Sequence, residues 1–169
     1  NVYTTYAGKG GVELNSPWRR LFYALRFGSL KMLLSGDITG ESRILYNRNV
    51  KERVAKIAPF LTYDRDPYLV VAEGSLYWII DAYTSTDRYP YSQPLLLNGG
   101  KVNYIRNSVK VVVDAYDGRT IFYQADPNDP IIRAYTKMFP KAFRPLSDMP
   151  KSLVPHLRYP EDIFSLQTA

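Results

Sequence analysis

The chain has no cysteine, and that one absence removes disulfides, thiol catalysis and thiolate zinc sites together. Histidine is almost as scarce. His156 is the only one, so a metal centre built on two imidazoles is excluded and only oxygen ligands remain. A Ser-His-Asp triad would have to use this residue, yet no serine sits in a G-x-S-x-G turn. His156 lies between Pro155 and Pro160 and reads as a structural, hydrogen-bonding histidine. No apolar run approaches the ~18–20 residues that a spanning helix needs. The opening NVYTTYAGKGG has neither the basic nor the apolar region of a signal peptide. Its Gly8-Lys9-Gly10-Gly11 lacks the GxxxxGK[ST] spacing that cradles phosphates and has no strand before it, so it reads as a connector.

What is present is an ordinary globular composition: 169 residues, 46% hydrophobic and 22% charged. That suits one folded domain with its own core and excludes wholesale disorder. The net charge of +6 is uneven. Residues 1–60 hold ten Lys/Arg against four Asp/Glu, residues 61–126 six against eight, and residues 127–169 six against four. The basic excess belongs to the N-terminal third, where anionic lipid, wall polymer or nucleic acid would find it. Fifteen tyrosines stand against seven phenylalanines, a bias toward side chains with an apolar face and a wet tip.

Three regions follow from the pattern: helical 1–61, hairpins 62–125 and a tail of short helices 126–169. Ser16-Pro17 starts a helix that the spacing carries to about Leu34, with Trp18, Leu21, Phe22, Leu25, Met32 and Leu33 on one stripe. That stripe is expected to dock on the sheet, which would make Leu25→Asp severely destabilising. Asn49 caps a second helix closed by Pro59. The period then becomes extended. Leu69–Ala72 and Leu76–Ile80 flank Glu73-Gly74-Ser75 as one hairpin. Ser108–Ala115 and Thr120–Tyr123 flank Asp117-Gly118 as another. Asn98-Gly99-Gly100 marks a further turn, and residues 84–94 read as loop. Helices are expected from Pro130 to before Pro140, between Met149 and Leu157, and from Pro160 onward. The fold class is α+β: a mostly antiparallel sheet of about four strands in two hairpins, with helices packed on one face.

Two groups of residues are candidate sites. Tyr83, Asp87, Arg88, Tyr89 and Tyr91 form an aromatic and charged stretch suited to stacking on sugar rings or covering a partner protein. Asp126, Asn128 and Asp129 form a short oxygen-rich loop of the kind that binds calcium weakly outside cells, although it does not match the EF-hand spacing and such residues are also ordinary turn and cap residues. Nothing calls for a cofactor.

The stretches YTTYAGKGGVELNSPWRRL, SRILYNRNVKERVAKIAPFLTYDRDPYLVV, YWIIDAYTSTDRYPYS, NYIRNSVKVVVDAYDGRTIFYQADPNDP and HLRYPEDIF resemble Uncharacterised Protein Family 0182. Members look like bacterial integral membrane proteins in which N-terminal spanning helices precede a large extracytoplasmic region. The resemblance implies that this chain is a soluble extracytoplasmic fragment of a cell-membrane protein. Its implied partners are the parent's own membrane-spanning part and, beyond that, an envelope protein or wall polymer. It argues against nucleic acid and supplies no catalytic residue. Two functions are expected from different classes: a non-catalytic interaction or gating domain, or an envelope hydrolase acting on glycan or wall polymer through aspartates.

Overall fold

The computed structural model describes residues 6–97 and 99–168. Contacts divide the chain into two compact units, 1–48 and 49–169.

In the first unit, strand β1 (Val12–Glu13) pairs antiparallel with β2 (Arg43–Ile44). Arg43 bridges to Glu13 and donates to the carbonyls of Lys9 and Gly10 at 2.9 and 3.0 Å. Between the strands lie helices α1 (Pro17–Phe27) and α2 (Lys31–Leu34). The single long helix expected from the sequence is therefore two. Gly28 takes φ +62°, and the amides of Gly28 and Ser29 turn back to the carbonyls of Leu25 and Ala24, which ends the first helix. Glycine enters the left-handed region without the Cβ penalty, so a residue compatible with the helical stripe still stops the helix. The apolar stripe is not buried either. Trp18, Phe22 and Leu25 are 68, 65 and 69% exposed, while Ala24 is the buried residue of α1.

The second unit opens with α3 (Val50–Ile57), capped by the Asn49 side chain, which accepts from the amides of Lys51 and Glu52. Strands β3 (Thr62–Tyr63), β4 (Tyr68–Ala72) and β5 (Ser75–Thr86) follow. Next come a small hairpin, β6 (Leu95–Leu97) with β7 (Gly100–Val102), and then β8 (Tyr104–Asp114) and β9 (Thr120–Gln124). Asn98, part of the expected turn between β6 and β7, lies outside the described residues. Helix α4 (Pro130–Met138), β10 (Phe143–Pro145), two single turns of 3₁₀ helix (Leu146–Asp148 and Val154–His156) and α5 (Glu161–Gln167) complete the unit.

The main sheet runs β10-β9-β8-β5-β3, with β4 also paired to β5. It is antiparallel except where β10 runs parallel to β9. Six strands thus replace the four expected. The additions, β3 and β10, are too short for an alternating pattern to reveal them. The two expected hairpins are present. Glu73 and Gly74 make the first turn with φ +50° and +74°, the two-residue geometry that matches strand twist.

Each face of the sheet carries a core. On one, α3 and α4 bring Val54, Ala58 and Ile132 against Ile80, Ala82, Val109, Val111, Val113 and Phe122. Phe60 stacks on Phe139 at 5.3 Å and leans on Tyr135 at 4.5 Å, tying the end of α3 to α4. On the other, Tyr68, Val70, Ala72, Ile79, Val112 and Tyr123 pack with Met149 and Leu153. Of the helices, α3 and α4 supply the buried side chains of the first face, whereas the stripe of α1, expected there too, is exposed. The helix expected between Met149 and Leu157 is instead proline-punctuated 3₁₀ turn, and it closes the opposite face.

Candidate functional site

Strand β5 reaches Thr86, three residues into the expected loop, so the aromatic stretch splits. Tyr83 sits in the strand, fully buried, and its hydroxyl donates to Asp64. It cannot stack on a ligand. Burial pushes its phenol far above the ordinary value, and the Asp64 carboxylate adds to the shift.

Asp87, Arg88, Tyr89 and Tyr91 stay together in the loop beyond. Asn103 clamps this loop. Its Oδ1 accepts from the Tyr89 amide at 2.9 Å, and its Nδ2 donates to the Tyr89 carbonyl at 2.7 Å and the Ser92 carbonyl at 3.4 Å. The Ser92 hydroxyl donates to the Asn103 carbonyl at 2.8 Å, and the Arg88 amide to Thr86 Oγ1 at 3.2 Å. One amide side chain thus does the pairing that a longer strand would supply. Tyr89 stacks on Tyr104 at 5.2 Å. Tyr91, at φ +60°, is fully exposed. Asp87 and Arg88 lie beside it, 3.9 Å apart and mostly in solvent. Asn103 has no sequence signal of this role: it is one polar residue between β7 and β8.

Tyr104 links this loop to a buried knot. Its hydroxyl donates to Asp129 Oδ1 at 2.5 Å. Asp129 Oδ2 accepts from Thr84 Oγ1 at 2.5 Å and Ser108 Oγ at 2.6 Å, and the amides of Ile131 and Ile132 complete the set. Asp129 is thus the N-cap of α4 as well as the anchor of three hydroxyls from β5 and β8. Burial works to raise its carboxyl, but hydrogen bonds from Ser108, Thr84 and Tyr104 outweigh it and hold the group below its ordinary 3.8. The rest of the oxygen-rich loop is similarly engaged. Asp126 Oδ1 accepts from the Asn128 amide at 3.0 Å, and its Oδ2 from Arg106 at the same distance. The three residues form a turn and a cap whose carboxylates face protein donors. Among the described residues no three His, Cys, Asp or Glu side chains gather as a metal-holding group.

A second buried cluster lies on the face that the tail covers. Asp81 and Lys110, directly opposite each other across β5 and β8, form an ion pair, and Lys110 also donates to the Arg158 carbonyl at 3.2 Å. Burial raises the Asp81 carboxyl and Lys110 opposes it; raised is the net direction. Nearby, Asp64 accepts from Tyr83, the Asp66 amide and the Asp162 amide. Asp162 takes Arg65 Nε at 3.1 Å and its amide at 3.3 Å. These carboxylates tie α5 to the sheet. The only histidine, His156, is exposed beside a shallow groove of ≈ 400 Å³ lined by Leu69, Val71, Leu157 and Arg158, and its amide donates to the Leu153 carbonyl at 3.0 Å.

Known sequences agree on the family. The sequence model described as Uncharacterised protein family (UPF0182) matches residues 1–169. The chain belongs to that family. A UPF0182 protein of Moorella thermoacetica is 55% identical over 166 residues, 98% of this chain and 18% of the relative. Those of Methanospirillum hungatei and Microcystis aeruginosa are 54 and 55% identical over 99% of this chain, which spans 19 and 18% of them. The chain therefore spans under a fifth of the UPF0182 relatives it matches. No solved structure matches it.

Proposed function

We propose that this UPF0182 segment is a non-catalytic interaction or gating module in the extracytoplasmic part of a cell-membrane protein. It meets its partner, the parent's own membrane-spanning part or an envelope protein or wall polymer, through the loop of Asp87, Arg88, Tyr89 and Tyr91. The observation that carries this reading is the Asn103 clamp. It fixes an exposed aromatic and charged loop in one shape, which lowers the ordering cost of binding. The buried carboxylates Asp64, Asp129 and Asp162 are spent on protein hydroxyls, amides and arginine, as befits structural groups. A hydrolase would need two of them across an open cleft.

The test is a photo-crosslinking residue at Tyr91 in the full-length parent in cells, with one at Lys141 as a control. Tyr91-specific crosslinks to the parent or to an envelope component are expected; crosslinking no greater than the control overturns the loop's role. Separately, robust turnover of wall polymer, ester or glycoside substrates that Asp81→Asn abolishes would overturn the non-catalytic reading.

A further inference from the structure

Helix α1 turns Trp18, Phe22 and Leu25 away from its own unit, while Phe27 packs inward on Tyr23 and Tyr46. Its inner side is made by Ala24, by Arg20, whose Nε donates to the Leu14 carbonyl at 3.4 Å, and by Tyr23, whose ring lies 6.1 Å from that of Tyr46. Its outer side sets Trp18, Phe22 and Leu25 at i, i+4 and i+7, all about two-thirds exposed. After Gly28, Leu30 and Leu34 are exposed by 71 and 82%. Five large apolar side chains exposed within 17 residues are more than a chain leaves in water without a covering surface.

The charges around the patch indicate what covers it. Residues 14–36 contain Arg19, Arg20, Arg26 and Lys31 and no carboxylate. Arg19 and Arg26, seven apart, follow one flank of the stripe. Among the described residues none of the four pairs with Asp or Glu. Arg19 donates to the Glu13 carbonyl at 3.3 Å and to Asn15 Oδ1 at 3.2 Å, and Arg26 stands over the Tyr46 ring at 5.4 Å. An exposed apolar stripe with a tryptophan and a cationic flank is the design of a helix lying in the headgroup plane of a bilayer. We propose that α1 and α2 rest on an anionic phospholipid surface, with Trp18, Phe22, Leu25, Leu30 and Leu34 at the acyl boundary and Arg19, Arg26 and Lys31 on lipid phosphates. This goes beyond the tyrosine-loop reading and uses none of its residues.

The test is co-sedimentation of the 169-residue chain with vesicles of phosphatidylglycerol or of phosphatidylcholine, at low and physiological salt. Binding to phosphatidylglycerol at physiological salt is expected, about tenfold stronger than to phosphatidylcholine. Trp18→Ser/Phe22→Ser/Leu25→Ser should weaken it at least about tenfold with the thermal melt unchanged, since these side chains are exposed. Arg19→Gln/Arg26→Gln should remove most of the preference for the anionic lipid while leaving the fold intact. Absence of binding to phosphatidylglycerol, binding that survives the triple variant, or a dimer in solution that the triple variant dissolves would each overturn the proposal. The last result would assign the face to a second copy of the chain.

Discussion

Replacing Asp129 by alanine removes the group on which the cap of α4 and the β5–β8 hydroxyls all depend. The cap is worth about 1 kcal/mol. Ser108 and Thr84, both buried, lose a charged acceptor; they lie 3.1 Å apart and partly satisfy each other, so about 1 kcal/mol for each is a fair figure. Tyr104 is more exposed and finds water. The total is about 3 kcal/mol, a large share of the ~5–15 kcal/mol that holds a domain folded, and corresponds to about 10 °C in Tm. Asp126→Ala is the control: it removes an exposed pair with Arg106 and should move the melt far less. Because the Asp129 carboxyl is held below 3.8 in the folded chain, its stabilisation is present above that pH and is lost as pH falls through the lower folded value. Melts by circular dichroism from pH 7 to pH 3 should therefore show the wild type converging on Asp129→Asn in acid. A Tm loss under about 3 °C for Asp129→Ala at pH 7 would refute the reasoning, because the five hydrogen bonds would then be worth no more than a single cap.

Alkali should unfold the second unit through its phenols. Burial raises Tyr68 and Tyr104 from 10.0 to about 12, so stability is intact below 10 and falls as pH rises toward 12; a Tyr68→Phe variant should lose less over that window in pH-jump melts. Calcium at about 1 mM, the range of weak extracellular sites, should leave the Tm unchanged, since the carboxylates of Asp126 and Asp129 already have protein donors; a shift that Asp126→Asn abolishes would show that the loop opens to the ion. Leu25→Asp should leave the melt nearly unchanged because that side chain is exposed; a large drop would mean that the stripe serves the core. Gln93→Cys, in a parent otherwise free of cysteine, should react with a membrane-impermeant thiol reagent on intact cells; labelling only after lysis would put the loop on the cytoplasmic side. Ser92 is the poorer position for this probe, because its hydroxyl belongs to the Asn103 clamp.

Local chemistry was legible wherever one residue or one period decides the backbone. Asn49 and Asp129-Pro130 start helices because a short polar side chain answers orphan amides, and Pro130 fits the first helical position. Glu73-Gly74 and Asp117-Gly118 turn hairpins because few residues accept positive φ, and the alternation in Val109, Val111 and Val113 marks a strand with one face in a core. The family was legible too, since the wording of whole stretches carries it. What local chemistry could not fix was the destination of each surface. Helical spacing shows that Trp18, Phe22 and Leu25 share a face, but whether that face meets a core depends on which side the β1–β2 unit occupies, and it occupies the side of Ala24. Tyr83 and Tyr91 read alike in sequence; the extension of β5 to Thr86 buries one against Asp64 and leaves the other in solvent. Asp129 reads as a turn or cap residue first and as a calcium ligand second, and nothing local shows where its carboxylate points. Only the approach of Thr84, Ser108 and Tyr104, from 21 to 45 residues away in the chain, fills its lone pairs, and such long-range convergence has no local signature.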